Sequence, residues 1–437
     1  VDLSPLAHRN YRLLFVGQFV SLLGSMLSYV TLPYVLYQST KSTVLTGLLG
    51  VIQLAPSVVG GLFGGALADA IDRRRLIALC ELGMALVMLA LGLALRACAP
   101  GYPDAIWLLL AAAVLAVLNG IHRPALEALT PLLVPRSQMP AAATLSSFKY
   151  NLCMIGGPAL AGILIGAGGA DLAFFIDGGS FAIAIACVLA LKAVPKPAQE
   201  VDFTLDAIKE GFRYAIGRKD LVGTYVVDII AMTFSMPNLL FPAVADVFGS
   251  PVYLGWLHSG LAGGALLAGL TSTRLNRIRR HGVIILIAAA VWSACMIGFG
   301  MAPSFPIAML FLVCAGYADM VSGVFRQTIW NQTIPNHLRG RLAGIEMISY
   351  LTGPLLGNTQ LGLLSSAVGI QRAISLSSVV GLLGVAVSAR VLPQFRNYLA
   401  PESGGPEAVS EAAHATPQRA DAMLAPAGRI STAPPKV

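Results

Sequence analysis

Six charged residues stand inside stretches that are otherwise almost wholly apolar, and chemistry is expected there first. Asp228, Asp319 and Glu346 are carboxylates; Arg123, Lys149 and Arg326 are cations. A charge in the middle of a membrane helix costs about 3 kcal/mol on insertion scales, so it persists where it is paired or has a function. Asp319 and Arg326 are seven residues apart and share one helix face. Desolvation penalises an ionised carboxylate, so Asp319, then Asp228 and Glu346, are read as proton carriers. An ion pair between Asp319 and Arg326 that only supports packing is an equal alternative, and the sequence leaves both open.

A second group lies at a boundary. Residues 60–75, GGLFGGALADAIDRRR, run from an apolar glycine-rich helix through Asp69 into Arg73, Arg74 and Arg75. Such a charge cluster belongs in water and marks a cytoplasmic loop. Arg73 is placed to pair with Glu127, or to act as a topology signal only. Glu81 is expected to snorkel or to pair with the arginine run. Gln18, Gln53, Asn119 and Asn151 are amides that either touch a substrate or link helices. Asp177, in FFIDGGSF, and the lone His258 are read as packing or hydrogen-bonding groups. The Gly61–Gly65 and Gly260–Gly264 steps read as close helix contacts.

These residues need membrane helices to position them. Of 437 residues, 56% are hydrophobic and 11% charged, against about 25% charged in soluble domains. The net charge of +8 sits in short loops and builds no basic face for nucleic acid. The six cysteines stand singly, with neither zinc spacing nor a disulfide framework. No P-loop, G-x-S-x-G or H-E-x-x-H motif occurs, so no enzyme, metal or cofactor is expected.

About 20 apolar residues cross a bilayer. By that measure the spans are 13–40, 42–68, 76–98, 105–130, 140–168, 172–193, 221–245, 251–273, 282–302, 305–334, 341–367 and 370–392. The expected fold is all-α and integral to the membrane, with twelve transmembrane helices. With the N-terminus inside, cytoplasmic segments carry 20 Lys and Arg residues and the opposite side three. Both termini are then cytoplasmic. Phe203–Arg218 has helical apolar spacing and is read as an amphipathic helix on the membrane face. The organisation is thus a first half (1–194), a linker (195–220), a second half (221–395) and a disordered tail (396–437).

The halves repeat. Gly157-Pro158 in span 5 matches Gly353-Pro354 in span 11, and Arg123 before Pro135 matches Arg326 before Pro335. Gly65, Leu67, Ala68, Asp69, Arg73 and Arg74 resemble the loop signature of the major facilitator superfamily. The chain resembles that family over about residues 8–395. FPAVADVFG (241–249), LGWLHSGLAGGALLAGLTS (254–272) and LRGRLAGIEMISYLTGPLLG (338–357) place it near the bacterial siderophore- and macrolide-efflux branch.

The resemblance implies two pseudo-symmetric six-helix halves, alternating access, a midplane binding site and export driven by proton influx. Spans 1, 4, 7 and 10 would line the cavity, where Asp228, Asp319, Lys149, Arg123 and Arg326 would meet. Asp69 would latch span 2 to the start of span 11 near Gly340 and Gly344. Ala70 and Asp72 depart from the signature, which moves the weight onto Asp69. The expected protein is a monomer in a bacterial cytoplasmic membrane. Its partners would be protons, lipid and a small amphipathic molecule such as a siderophore or drug. Metabolite uptake or uniport, lysolipid translocation and a non-transporting sensor are the alternatives.

Overall fold

The computed structural model describes residues 2–99, 101–192, 213–214, 216–275, 278–334 and 339–399; side chains at 62, 65–66, 68–70, 136, 272–275 and 339–351 lie outside that description. Most of the amphipathic segment read at Phe203–Arg218, and the tail from residue 400, therefore fall outside the described residues.

Among the described residues, twelve long helices follow one another: α1 Arg9–Thr40, α2 Thr43–Ala70, α3 Arg73–Ala97, α4 Ala105–Leu129, α5 Met139–Gly168, α6 Ala170–Leu189, α7 Lys219–Ser235, α8 Val252–Leu275, α9 His281–Gly300, α10 Phe305–Thr333, α11 Arg339–Val368 and α12 Ile370–Val391. Among the described residues, ten spans are long and apolar enough to cross a membrane; α8 and α11 complete the set. Their surfaces explain why lipid is the solvent. On α3, Leu79, Leu82, Leu86, Leu89 and Leu93 form one exposed leucine stripe, while Glu81, Met84, Met88, Leu91 and Leu95 face inward. An unbroken apolar stripe of that length is not stable against water.

The packing repeats with an offset of six helices. In the first half α1 packs on α5 and α6, α2 on α4, and α3 on α4 and α6. In the second, α7 packs on α11 and α12, α8 on α10, and α9 on α10 and α12. The principal contacts between halves, α2 with α11 and α5 with α8, are exchanged by the same offset. The repeat extends to single residues. Gly169 (φ 95°) and Gly369 (φ 83°) are the sole residues joining α5 to α6 and α11 to α12. A left-handed conformation there favours glycine. Gly157 lies against Met26 of α1, and Gly353 lies against Met232 of α7.

Span 7 departs from the continuous helix expected over 221–245. α7 stops at Ser235, a 3-10 turn covers Asn238–Leu240, and a short helix resumes at Phe241–Val247. Pro237 has no N–H to donate and blocks the preceding turn, while Pro242 sits in the first turn of the new helix, where no donor is needed.

Close approach at Gly157 makes it sensitive to size. Gly157→Val should force apart α5 and α1, at about 1–3 kcal/mol. A lowered thermal midpoint of the purified protein, at unchanged helix content, is the expected measurement.

Candidate functional site

Arg326 on α10 is the centre of the polar chemistry in the second half. Its guanidinium forms an ion pair with Asp228 of α7, and both side chains are only 6% exposed. Its Nη2 lies 3.9 Å from Asp319 Oδ1, whose side chain is 43% exposed. Asp228, Asp319 and Arg326, singled out from the sequence, thus form one cluster. The alternative of a simple Asp319–Arg326 pair is modified, because the buried partner is Asp228. Fork-shaped guanidinium serves two carboxylates at once, and removing one partner of such a pair leaves an uncompensated buried charge.

The first-half cations are placed differently. Arg123 Nε pairs with Glu127 Oε1 at 2.9 Å, one turn along α4, and both are exposed. Arg73 Nη1 donates to the carbonyl of Ala128 at 3.1 Å, so Glu127 is held by Arg123 rather than by Arg73 alone. Lys149 Nζ lies 5.6 Å from the centre of the Phe15 ring, a cation–π distance. Asn119 donates to its own helix, at the Leu115 carbonyl 3.0 Å away. Gln53 is half-buried on α2. The side chains of Asp69 and Glu346, and the surroundings of Gly340 and Gly344, lie outside the described residues.

Asp72, a departure from the loop signature, has a local use. Its carboxylate caps α3, accepting from the Arg74 N–H at 2.9 Å. Its ion pair with Arg74 measures 3.1 Å. The Arg74 side-chain hydrogen bond holds the Asp72 carboxyl below the ordinary carboxylate range. A lowered folded-state value means the cap contributes fully above the ordinary range and is lost only as pH falls through the lowered value. Asp177 bonds as read: it accepts from Ser28 of α1, and Ser180 donates to its carbonyl at 2.7 Å.

Glu81 does not snorkel. It is fully buried and accepts from Gln18 Nε2 at 2.6 Å, with His122 Nε2 3.3 Å away. Gln18 therefore links helices. His122 was not legible as a functional residue; its one signal is its position beside Arg123.

The halves are joined toward the end where α1 meets α2. Lys41 pairs with Asp246 at 2.8 Å. Thr43 donates to the Gly362 carbonyl at 3.1 Å and Thr359 to that of Gly47 at 2.9 Å. Beneath them Asn358 is wholly buried. It accepts from the Leu239 N–H at 2.9 Å and donates to Asn238 Oδ1 at 2.7 Å and to the Pro354 carbonyl at 2.6 Å. Asn238 bonds in turn to Tyr29 of the first half. Tyr29 also meets His258 edge-on, with ring centres 5.7 Å apart. This network satisfies the backbone freed by the break after α7. Sequence reading missed it, although Asn beside Pro237 and Asn one turn after Pro354 were its signal. Outside the network lies a depression of about 650 Å³ lined by Tyr37, Lys41, Asp246 and Ser365.

Two six-helix halves around broken and polar helices define a secondary transporter of the major facilitator type, and not an enzyme. The chain belongs to the transmembrane secretion effector family, whose model matches residues 1–414. It is similar to the enterobactin exporter EntS of Shigella boydii serotype 4, with 28% identity over 365 residues, 81% of this chain and 85% of that one. The same identity and coverage relate it to EntS of Escherichia coli O81. Among solved structures it is similar to a bacterial homolog of the human lysosomal transporter Spinster, with a TM-score of 0.72 and 17% identity, covering 91% and 99% of the two chains. The nucleoside transporter NupG aligns with a TM-score of 0.66 and 14% identity, over 88% and 98%.

Asn358→Leu removes three hydrogen bonds from the network that joins the halves and strands the Leu239 N–H, at about 1–3 kcal/mol. A cysteine introduced at Thr46, which is wholly buried on α2, should then react faster with a water-soluble maleimide. In a background free of the native cysteines, about fivefold or more is expected.

Proposed function

We propose that this transporter is a proton-coupled exporter of a small amphipathic molecule, a siderophore being the leading class, working by alternating access. The observation that carries the reading is Arg326 shared between buried Asp228 and half-exposed Asp319. A proton arriving on Asp319 neutralises one of two carboxylates competing for one guanidinium, so occupancy changes the balance of charge between α7 and α10. The substrate class is supported by the enterobactin exporters to which the chain is similar. Arg123 and the neighbouring Tyr150, with Lys149 over the Phe15 ring, supply cations and aromatic rings suited to an anionic molecule with aromatic groups.

In this reading the protein lies in a bacterial cytoplasmic membrane. The excess of basic residues, 20 against three, puts both termini in the cytoplasm. The seal formed by Lys41, Asn238 and Asn358 is then periplasmic. The rocking units are residues 1–194 and 221–395, joined by 195–220, with 396–437 as a cytoplasmic tail. Asp69 serves as the latch to the start of α11 near Gly340 and Gly344, on the general ground that the N-terminus of a helix favours an anion.

Vesicles with an imposed pH gradient and enterobactin, the molecule named for the exporters to which the chain is similar, test the coupling. Asp319→Asn should abolish gradient-driven flux, by tenfold or more at matched protein amounts, while exchange of labelled for unlabelled substrate persists. Driven flux at the wild-type rate would remove Asp319 as carrier. Asp69→Asn should slow both modes at unchanged abundance; equal rates for the variant and the wild type would dismiss the latch.

A further inference from the structure

We propose that Tyr29 and His258, one from each half, form a cargo-binding site coupled to the network that joins the halves. Tyr29 is on α1 and His258 on α8, and their rings meet edge-on with centres 5.7 Å apart. Phe241 meets the same imidazole edge-on at 4.8 Å. Tyr29 and His258 lie deep in the molecule, yet each keeps part of its surface open. A residue in a packed core is closed on all sides. One that is both deep and open lines an internal cavity.

Their hydrogen bonds are incomplete. The Tyr29 hydroxyl accepts from Asn238, which uses a lone pair and leaves its own proton to give. Among the described residues no acceptor takes that proton, and neither nitrogen of His258 has a hydrogen-bond partner. An imidazole carries at least one N–H. Interior groups of this kind are satisfied by water or by a ligand. With ring centres this close, both donors fall within the span of one small molecule.

The chemistry selects the ligand class. An O–H and an N–H donor call for an oxygen acceptor. The rings of Tyr29, His258 and Phe241 call for a flat aromatic body to carry it. The same wall continues to Tyr150 of α5, an electrostatic neighbour of Tyr29, and to Arg123 of α4, a neighbour of Tyr150. An anionic cargo would set its charge toward Arg123 and an oxygen-bearing ring against Tyr29. The identity of the cargo rests on the exporter reading; the site does not.

Tyr29 has a second task. Asn238 is held between Tyr29 and Asn358, and Asn358 accepts from the Leu239 N–H at 2.9 Å. A ligand that turns the Tyr29 hydroxyl toward itself takes from Asn238 its partner in the first half. Binding thereby loosens one tie between the halves and favours the state in which they part.

The full-length protein in lipid nanodiscs tests this with two probes: enterobactin, named for the similar exporters, and salicylate, a bare ring bearing oxygen acceptors. Tyr29→Phe and His258→Phe keep a ring of similar bulk and remove one donor each, and either covers for the other should one fail to fold. Each should weaken probe binding about fivefold, and His258→Gln, which restores a donor, should recover most of the loss. Wild-type binding in either Phe variant, no recovery in His258→Gln, or failure of both probes to bind the wild type would overturn the site. Salicylate binding with these losses, without enterobactin binding, would keep the site and count against the siderophore reading. For the coupling, Thr46→Cys in the background free of native cysteines reports from beside Gly47, which faces the Asn358 carbonyl. A bound probe should raise its maleimide labelling about threefold or more, and the rise should vanish in His258→Phe. An equal rise in that variant, or none in the wild type, would overturn the coupling.

Discussion

A guanidinium withdrawn from water needs partners, and Arg326 imposes that need on the second half. Asp228 meets it from α7 at close range, and Asp319 lies a little farther off on α10 itself. Beside this cluster Trp330 of α10 donates from Nε1 to Thr224 of α7 at 2.9 Å and packs its ring on Tyr225, with centres 5.5 Å apart. Of these ties the charge cluster is the electrostatic one, so it responds to the arrival of a proton or an ion in a way that packed apolar surfaces do not.

The two halves share a packing plan and differ in chemistry. The same helix pairs touch in each, down to Gly157 on Met26 and Gly353 on Met232. Yet the first half buries a Gln18–Glu81–His122 cluster between α1, α3 and α4, whereas the second buries an arginine between two aspartates. A repeated scaffold therefore presents two unlike polar centres, one dependent on hydrogen bonds to a carboxyl and one on opposed full charges.

Much of this was legible in the amino-acid pattern, because lipid is a severe solvent. Twelve apolar stretches with basic loops on one side leave little freedom in the count of helices, and charged residues within them are few enough to be named individually. What the pattern could not supply was partner choice. Glu81 lies two turns from three arginines and reads as their partner, but the helix turns it inward to Gln18 and His122. Arg73 and Glu127 have opposite charges near one membrane end, but Arg123 is one turn from Glu127 and reaches it first. The break after Ser235 was missed for another reason: residues 221–245 are apolar enough in sum to read as one span, and hydropathy does not register a chain that satisfies its backbone through Asn358, more than a hundred positions away. Asp69 and Glu346, prominent in the sequence, have side chains outside the described residues.

The one-residue connections at Gly169 and Gly369 bear on how such a molecule can move. Each ties the last residue of one long helix to the first of the next with no slack. Neither α5 and α6 nor α11 and α12 can slide lengthwise past each other without tearing a turn. Each pair must tilt as a single lever. The fulcra then lie where small residues meet between the halves, at Gly47 and Gly362 on one side and at Gly162 and Gly255 on the other, surfaces smooth enough for two rigid blades to roll across.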